Sequence, residues 1–282
     1  MKLMIRAHDL AVKGEDNIVR KLDEYGLDGI QLVAYKCIDG VGYTEGSLTS
    51  ERAKKIAETL RGAGKQIALL GAYFNPVHPT REKSMHGESM FREYLFLSRE
   101  LGCPIVGSET GSYMGDPWGY HPHNRTEEAR DRVVATFTAL SDYASEVGAS
   151  VAIEGAFNHV CYSPDVLYNV VKRIGRDNVR VIFDLYNYLD ISNYTNAYSI
   201  LNRGHELYGS DILLYHLKDF TVDGDRLKQC PVGQGILDYR TVLGEIYAHN
   251  PDAILVLEGT VGEDIPGAVS YLRGIMDNIT SK

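Results

Sequence analysis

The sequence lacks the features that mark secreted, membrane-spanning and disulfide-stabilised proteins. Its 282 residues include only four cysteines, which are widely separated and form no Cys-x-x-Cys pair, so a disulfide scaffold and a zinc finger are both disfavoured. No apolar run approaches the roughly 20 residues that cross a bilayer. Charged residues occur already at Arg6 and Asp9, so the first apolar stretch is too short for the core of a secretion signal. We therefore expect a cytoplasmic protein with reduced thiols and no membrane partner.

Positive charge and several cofactor motifs are also scarce. The chain carries 29 Lys and Arg against 38 Asp and Glu, a net charge of −9, which disfavours broad binding to phosphate backbones and predicts no nucleic-acid partner. No Gly-x-Gly-x-x-Gly follows a strand, and neither a phosphate-binding loop nor a Gly-x-Ser-x-Gly elbow is present. Nucleotide cofactors and serine-hydrolase chemistry therefore have no sequence support.

What the chain does contain is a regular alternation of two patterns. Short apolar runs typical of strands recur, and each is followed by a stretch with helical spacing, such as Ile18, Leu22 and Tyr25. Thr49, Thr126 and Ser163 precede such stretches as predicted N-caps, while glycines such as Gly26 and Gly148 follow them. The eight predicted strands are Leu3–Ala7, Gly29–Ala34, Gln66–Leu70, Pro104–Gly107, Ser150–Ile153, Val179–Phe183, Ile212–Tyr215 and Ala253–Leu257.

This alternation predicts an α/β fold with parallel strands joined by right-handed crossovers. Eight units in about 250 residues match the size of a (β/α)8 TIM barrel. The alternative, a doubly wound sheet, would need a glycine-rich turn after the first strand, where the chain has Ala7-His8-Asp9-Leu10. We expect one domain over residues 1–282, with the long aromatic segment Tyr113–Arg125 forming a loop over the barrel mouth.

Four consecutive strands end on residues that bind metals. The fifth to eighth runs are closed by Glu154, Asp184, His216 and Glu258, and the carboxyl ends of barrel strands meet at one rim. Three carboxylates gathered there without a cation would repel one another. Three oxygen ligands and one imidazole suit Mn²⁺, Co²⁺ or Mg²⁺, with Zn²⁺ or Fe²⁺ also compatible. We therefore predict one divalent metal ion bound by these four side chains, although each alone could be an N-cap or a solvated rim charge.

Other polar and aromatic residues map to the same rim and are candidates for substrate contact, with an ordinary structural role as the alternative for each. Lys218 follows His216 by two residues and would face the same side of the strand. It could stabilise an anionic intermediate, or form an ion pair with Asp219 or Glu258. The turn Gly233-Gln234-Gly235 could bind an anion or serve only the backbone. The predicted substrate-binding residues are His8, Glu109, Trp118, Asn158, Asn187 and Lys218.

At these residues the chain resembles the xylose-isomerase-like TIM-barrel superfamily, which includes sugar and sugar-phosphate isomerases and epimerases and endonuclease IV. The resemblance extends over essentially the whole chain. Its most specific parts are Ala152-Ile153-Glu154, Phe183-Asp184-Leu185-Tyr186-Asn187, His216-Leu217-Lys218-Asp219, the segment Pro231–Tyr239 and Leu257-Glu258-Gly259.

The resemblance implies that Glu154, Asp184, His216 and Glu258 bind one metal and that the two glutamates exchange protons with substrate. Two positions depart from the ketose 3-epimerase pattern. Asn187 stands where those enzymes have His after strand six, and Val222 stands where they have Arg. The endonuclease branch needs further His ligands for three zinc ions, and the chain does not offer them at the matching positions.

We interpret the chain as a metal-dependent isomerase or epimerase of a small sugar, sugar phosphate or polyol. Glu154 and Glu258 would act on opposite faces of a cis-enediolate, one removing and the other returning a proton. The alternative is an inosose-type dehydratase that uses the same metal site, and an endonuclease is less favoured. Barrels of this superfamily are often dimers or tetramers, so the resemblance is compatible with a homo-oligomer.

Overall fold

The computed structural model describes residues 1–281 and confirms the predicted closed parallel barrel. Each barrel strand pairs with its two neighbours in the order β1-β10-β7-β6-β5-β4-β3-β2, and β1 closes the ring by pairing with β10. The barrel strands are β1 (Lys2–Arg6), β2 (Gly29–Leu32), β3 (Gln66–Gly71), β4 (Ile105–Glu109), β5 (Ser150–Glu154), β6 (Val179–Asp184), β7 (Ile212–Leu217) and β10 (Ile254–Leu257).

Helices surround the barrel, and the capping residues predicted from the sequence begin them. Thr49, Thr126 and Ser163 each accept a hydrogen bond from a backbone N–H in the first turn of the helix that follows. Gly148 ends its helix in the left-handed region at φ 70°, where a side chain would be strained. The α-helices of the described residues are α1 (Glu15–Tyr25), α2 (Ala34–Cys37), α3 (Ser50–Gly62), α4 (Arg81–Leu97), α5 (Glu127–Val147), α6 (Pro164–Ile174), α7 (Ala197–Tyr208), α8 (Tyr239–His249) and α9 (Asp264–Thr280).

Apolar side chains fill the barrel from within and also join it to the helices. The interior is so closely packed at Gly107 that a side chain would not fit, because a Cβ there would lie 2.8 Å from Ile182 Cδ1. A larger apolar layer lies between the strands and the helix ring. The barrel is therefore a packed core, and polar groups can gather only at its ends. The interior cluster comprises Met4, Ala68, Leu69, Ala152, Ile182, Leu214 and Val256.

One element that we did not predict is an antiparallel hairpin at the end of β7. It consists of β8 (Asp219–Asp223) and β9 (Arg226–Cys230), with Val222 opposite Leu227. Most of its side chains are exposed or half-buried, so it carries little of the apolar signal that marks a barrel strand. The hairpin lies outside the barrel sheet and contributes side chains to the barrel mouth.

Within residues 1–281, no helix is both long enough and apolar enough to span a membrane.

Candidate metal centre

The carboxyl ends of four neighbouring strands bring together the four predicted metal ligands. Glu154 ends β5, Asp184 ends β6, His216 lies near the end of β7, and Glu258 directly follows β10. One ligand atom from each side chain lies within 4.8 Å of the other three. His216 Nδ1 lies 3.2 Å from Glu154 Oε1, 3.7 Å from Asp184 Oδ2 and 3.0 Å from Glu258 Oε2. Among the described residues, this is the group of acidic, His and Cys side chains whose geometry fits a metal ion.

The donor set and its burial fit a single divalent cation. Glu154, Asp184 and His216 are almost fully buried, and Glu258 is only slightly exposed. Asp184 Oδ2 accepts no well-aligned hydrogen bond, although Lys218 Nζ lies 2.8 Å away. A buried carboxylate oxygen without such a bond is costly unless a cation completes its coordination. Three carboxylates and one imidazole are compatible with several first-row metals as well as Mg²⁺.

Gln31 and Tyr73 orient the imidazole ligand. His216 Nε2 lies 2.6 Å from Gln31 Oε1, and Gln31 Nε2 donates to the Tyr73 hydroxyl over 2.7 Å. Because the carboxamide oxygen can only accept, Nε2 carries a proton, and the lone pair of Nδ1 becomes available to a cation once Nδ1 is deprotonated. Gln31 was not among the residues predicted from the sequence. The signal was a single polar residue within the apolar run that forms β2, where it is fully buried.

The surroundings of the two glutamates shift their pKa values in opposite directions. Burial raises the pKa of Glu154 to about 7, although the nearby His216 opposes this shift. Burial also acts on Glu258, but Lys218, His216 and Arg6 outweigh it and hold the pKa of Glu258 well below its usual range. The same carboxylates overcome the effect of burial on His216 and raise its pKa well above the usual value. Without a cation, protons and ion pairs therefore balance the negative charge of the cluster.

Arg6 and Lys218 both contact the oxygen of Glu258 that points away from His216. Arg6 Nη1 donates to Glu258 Oε1 over 2.7 Å, and Lys218 Nζ lies 2.8 Å from the same atom. Arg6 also donates to both carboxylate oxygens of Asp9. These contacts leave Oε2 of Glu258 facing the cluster. Arg6 interrupts the first apolar run and was not among the predicted site residues.

Asn187 and Lys218, predicted as substrate-binding residues, contact the ligand residues directly. Asn187 Nδ2 donates to Glu154 Oε1 over 2.7 Å, while its Oδ1 accepts from Lys218 Nζ over 2.9 Å. The backbone N–H of Asn187 donates to Asp184 Oδ1. Asn187 thus links Glu154 to the lysine.

The structure shows which groups contact Lys218 and the Gly233-Gln234-Gly235 turn. Lys218 pairs with Asp184 and Glu258, and not with Asp219. Asp219 Oδ2 instead accepts hydrogen bonds from the backbone N–H groups of Gly233 and Gly235. The turn lies before α8, and its amides bind a carboxylate of the same chain.

A cavity of about 560 Å³ at the barrel mouth adjoins the metal centre, and four of the predicted substrate-binding residues line it. These are Glu109, Trp118, Asn158 and Asn187, joined there by groups including Arg226 of the β8–β9 hairpin. Burial raises the pKa of Glu109 to about 7.

Two of the predicted substrate-binding residues lie elsewhere. Lys218 is buried beside the ligands, as described above. His8 lies in a short 3₁₀ helix after β1, with Nε2 3.9 Å from Asp9 Oδ1, and is not one of the residues found to line the cavity.

The loop that carries Trp118 is anchored by a buried asparagine. Asn124 Oδ1 accepts from the backbone N–H of Tyr113 over 2.8 Å. Its Nδ2 donates to Ser112 Oγ over 3.0 Å and to the carbonyl of Asn158 over 2.8 Å. The Trp118 ring lies with its centroid 5.6 Å from that of His159. The predicted loop therefore reaches the mouth and contributes an aromatic wall.

Comparisons with known proteins agree with this architecture. The sequence pattern of the xylose isomerase-like TIM barrel family matches residues 19–275. An inosose isomerase from Bacillus velezensis is 27% identical over 121 residues, a match that spans 40% of this chain and 40% of that protein.

Solved structures share the fold over the full length of the chain. A D-tagatose 3-epimerase-like protein superposes with a TM-score of 0.76 at 17% identity, covering 100% of this chain and 99% of that one. An IOLI protein with a binding zinc atom gives a TM-score of 0.72 at 17% identity, covering 100% of this chain and 98% of the other. At this level of identity the two likenesses establish a common fold.

Proposed function

The chain belongs to the xylose isomerase-like TIM barrel family, and from that premise we propose that it is a divalent-metal-dependent isomerase or epimerase of a sugar or sugar phosphate. The observation that carries the proposal is the buried cluster of Glu154, Asp184, His216 and Glu258, which adjoins a cavity of about 560 Å³. A small polyhydroxylated substrate is compatible with a cavity of this size and with its polar lining.

A divalent cation held by these four side chains would supply Lewis acidity, which makes the C–H next to a substrate carbonyl easier to deprotonate. In this proposal, Glu154 and Glu258 remove a proton from that carbon and return one. Return to the same carbon from the other face would invert its configuration. Return to the adjacent carbon would move the carbonyl group.

Neighbouring side chains hold the two glutamates in fixed orientations. The Asn187 amide binds Glu154 Oε1, while Arg6 and Lys218 bind Glu258 Oε1. Charge-assisted hydrogen bonds of this kind restrict a carboxylate more strongly than neutral ones. Burial also keeps bulk water from the transferred proton. The Lys218 ammonium lies close enough to the cluster to stabilise negative charge that develops on a substrate oxygen.

The endonuclease alternative has less support. It requires three zinc ions, whereas the described residues form one four-ligand group. The net charge of −9 also disfavours binding to a polyanion. A dehydratase would use the same metal centre, and the type of product separates it from an isomerase.

The decisive experiment follows the transferred proton. The Mn²⁺-loaded protein is incubated in D₂O with a panel of ketoses, ketose phosphates and inososes, and products are analysed by mass spectrometry and NMR. We expect an isomeric product with deuterium at the carbon next to the carbonyl. Glu258→Gln should abolish the exchange, whereas Glu263→Gln, the same change at an exposed residue, should not. Loss of water from substrate would identify a dehydratase instead, and a Glu258→Gln variant with normal exchange would overturn the proton-transfer role.

A further inference from the structure

A second cavity opens at the barrel mouth on the side of β2 and β3. Its volume is about 330 Å³, and Trp118 lines both this cavity and the larger one. We propose that it binds a second sugar ring, so that the substrate is a glycosylated sugar of at least disaccharide size. This inference rests on the proposed function, because it specifies the substrate class of the same site. The aromatic walls of the second cavity are formed by Tyr35, Tyr43, Tyr73, Phe74 and Trp118.

The second cavity is connected to the metal centre through Tyr73. This side chain lines the cavity, and its hydroxyl accepts a hydrogen bond from Gln31, which in turn contacts His216. The larger cavity reaches the cluster on the other side, through Asn187. Each cavity thus has a lining residue that is linked to the cluster by hydrogen bonds, and Trp118 lines both cavities. A ligand with its reacting unit at the metal and a second unit directed towards β2 and β3 would occupy both.

The chemistry of the walls favours a sugar ring over a purely apolar group. The rings of Tyr35 and Tyr43 lie 4.8 Å apart between centroids, and Tyr43 meets His86 edge-on at 5.1 Å. Tyr43 remains 37% exposed, so its ring is accessible to a ligand in this cavity. A pyranose presents an apolar face of C–H groups, and aromatic rings pack against such a face.

Polar groups along one edge of this cavity match the hydroxyl groups of a sugar. Lys83 Nζ lies 2.5 Å from Asp116 Oδ2, and His78 Nε2 lies 3.3 Å from the same oxygen. All three residues line the cavity. Lys83, Asp116 and His78 are already paired with one another, and sugar hydroxyls can form additional hydrogen bonds with these groups, which a flat aromatic substituent cannot.

A glycosidic bond limits where the reacting carbonyl can be. The bond fixes the anomeric carbon of one unit in its ring form. The carbonyl then belongs either to the free reducing-end unit, whose ring opens, or to a ketone within the fixed ring. Both kinds of substrate contain the second ring that the cavity would bind, and suitable probes distinguish them.

Trp118 is the only tryptophan of the chain, so its fluorescence reports on both cavities. Maltulose, lactulose and ring-oxidised cellobiose are titrated into the Mn²⁺-loaded protein and compared with D-fructose and D-glucose. We expect at least one two-ring sugar to bind about tenfold more tightly than its component monosaccharides. Maltulose or lactulose would identify a reducing-end substrate, and the oxidised probe would identify a ring ketone.

Matched variants test whether the preference depends on the second cavity. Tyr43→Ala should lower the ratio of the two-ring to the one-ring affinity by about fivefold, in keeping with the loss of one aromatic contact. Tyr271→Ala removes an equally exposed tyrosine, 38% against 37%, from α9 and should leave that ratio unchanged. Equal binding of one-ring and two-ring sugars would overturn the proposal. So would a Tyr43→Ala effect that is the same for both.

The outcomes separate this inference from the proposed function. A preference for two-ring sugars that depends on Tyr43, without deuterium exchange on any probe, would support the subsite and contradict the isomerase. Exchange on monosaccharides without that preference would support the isomerase and contradict the subsite.

Discussion

Arg6 Nη1 lies 2.7 Å from Glu258 Oε1, and this contact joins residues that are 252 positions apart. The contact spans the β1–β10 strand pair that closes the barrel. Asp9 completes the arrangement, because its carboxylate accepts from Arg6 and also from the backbone N–H of Gly259. The orientation of the last predicted ligand therefore depends on the first strand of the chain.

Replacing Arg6 should impair turnover more than substrate binding. A hydrogen bond between charged groups contributes about 1.5–3 kcal/mol, so Arg6→Ala should lower kcat by roughly tenfold to a hundredfold. Arg6→Lys keeps the charge but not the paired contacts, and should restore part of the loss. Steady-state kinetics of both variants, with exposed Arg61→Ala as the control, provide the measurement. A change confined to KM would show that Arg6 does not position Glu258.

Removing Gln31 should weaken metal binding. Gln31→Leu deletes the oxygen that fixes the tautomer of His216, and losses of this type cost about tenfold to a hundredfold in metal affinity. Competition with a coloured chelator gives the affinity of each variant. Gln66→Leu, at an exposed position of β3, is the matched control. An unchanged affinity in Gln31→Leu, in a folded protein, would contradict the orienting role.

Asn124 should hold the Tyr113–Arg125 loop in a single conformation. Asn124→Ala removes three hydrogen bonds of a buried side chain, and we expect it to lower the free energy of unfolding by about 1–3 kcal/mol. The loop should also loosen locally, so that acrylamide quenches Trp118 fluorescence more efficiently at temperatures where the barrel remains folded. Exposed Asn169→Ala serves as the control. Unchanged quenching would show that other contacts hold Trp118 in place.

Mild acid should destabilise the protein through a histidine remote from the mouth. The ring of His205 on α7 stacks on His249 of α8, with centroids 4.2 Å apart. Burial, assisted by His249, lowers the pKa of His205 from 6.5 to about 4. Below pH 6.5 the unfolded chain therefore binds a proton that the folded chain does not. Stability is complete above that pH and falls as the pH decreases towards about 4.

Urea unfolding between pH 7.5 and 4 measures this effect. His205→Leu should flatten the decrease in stability between about pH 6.5 and pH 4 relative to the unmodified protein. His121→Leu, a change in the exposed mouth loop, should leave it unaltered. Parallel pH profiles for His205→Leu and the unmodified chain would show that other groups cause the acid sensitivity.

The barrel and the meeting of its four strand-end residues could be predicted because both follow from local patterns. Strand-helix alternation determines the topology, and in a parallel barrel the topology alone places the closing residues of β5, β6, β7 and β10 on one rim. Glu154, Asp184, His216 and Glu258 could therefore be grouped without any knowledge of distances. Their role as metal ligands stays a prediction that the experiments above address.

The residues that orient this group were not predictable in the same way. Arg6 and Gln31 are polar residues inside strands, and in a sequence they look like interruptions of an apolar run. Their partners lie 252 and 185 positions away, so only the closed barrel shows that these buried groups are satisfied. The β8–β9 hairpin was missed for another reason: its short, largely exposed strands bury little apolar surface.

The proposed ligands and the residues that orient them come from different parts of the chain, and this has a consequence for biosynthesis. All four proposed ligands lie beyond residue 150, whereas Arg6 and Gln31 lie in the first two strands and Tyr73 lies two residues after the third. A nascent chain that has emerged from the ribosome only as far as α5 holds none of the ligands. Once the last ligand has emerged, it still lacks its guanidinium partner until β1 docks against β10. High-affinity binding of the cation should therefore occur late, after the barrel has closed. Metal added to a growing chain should not direct its folding.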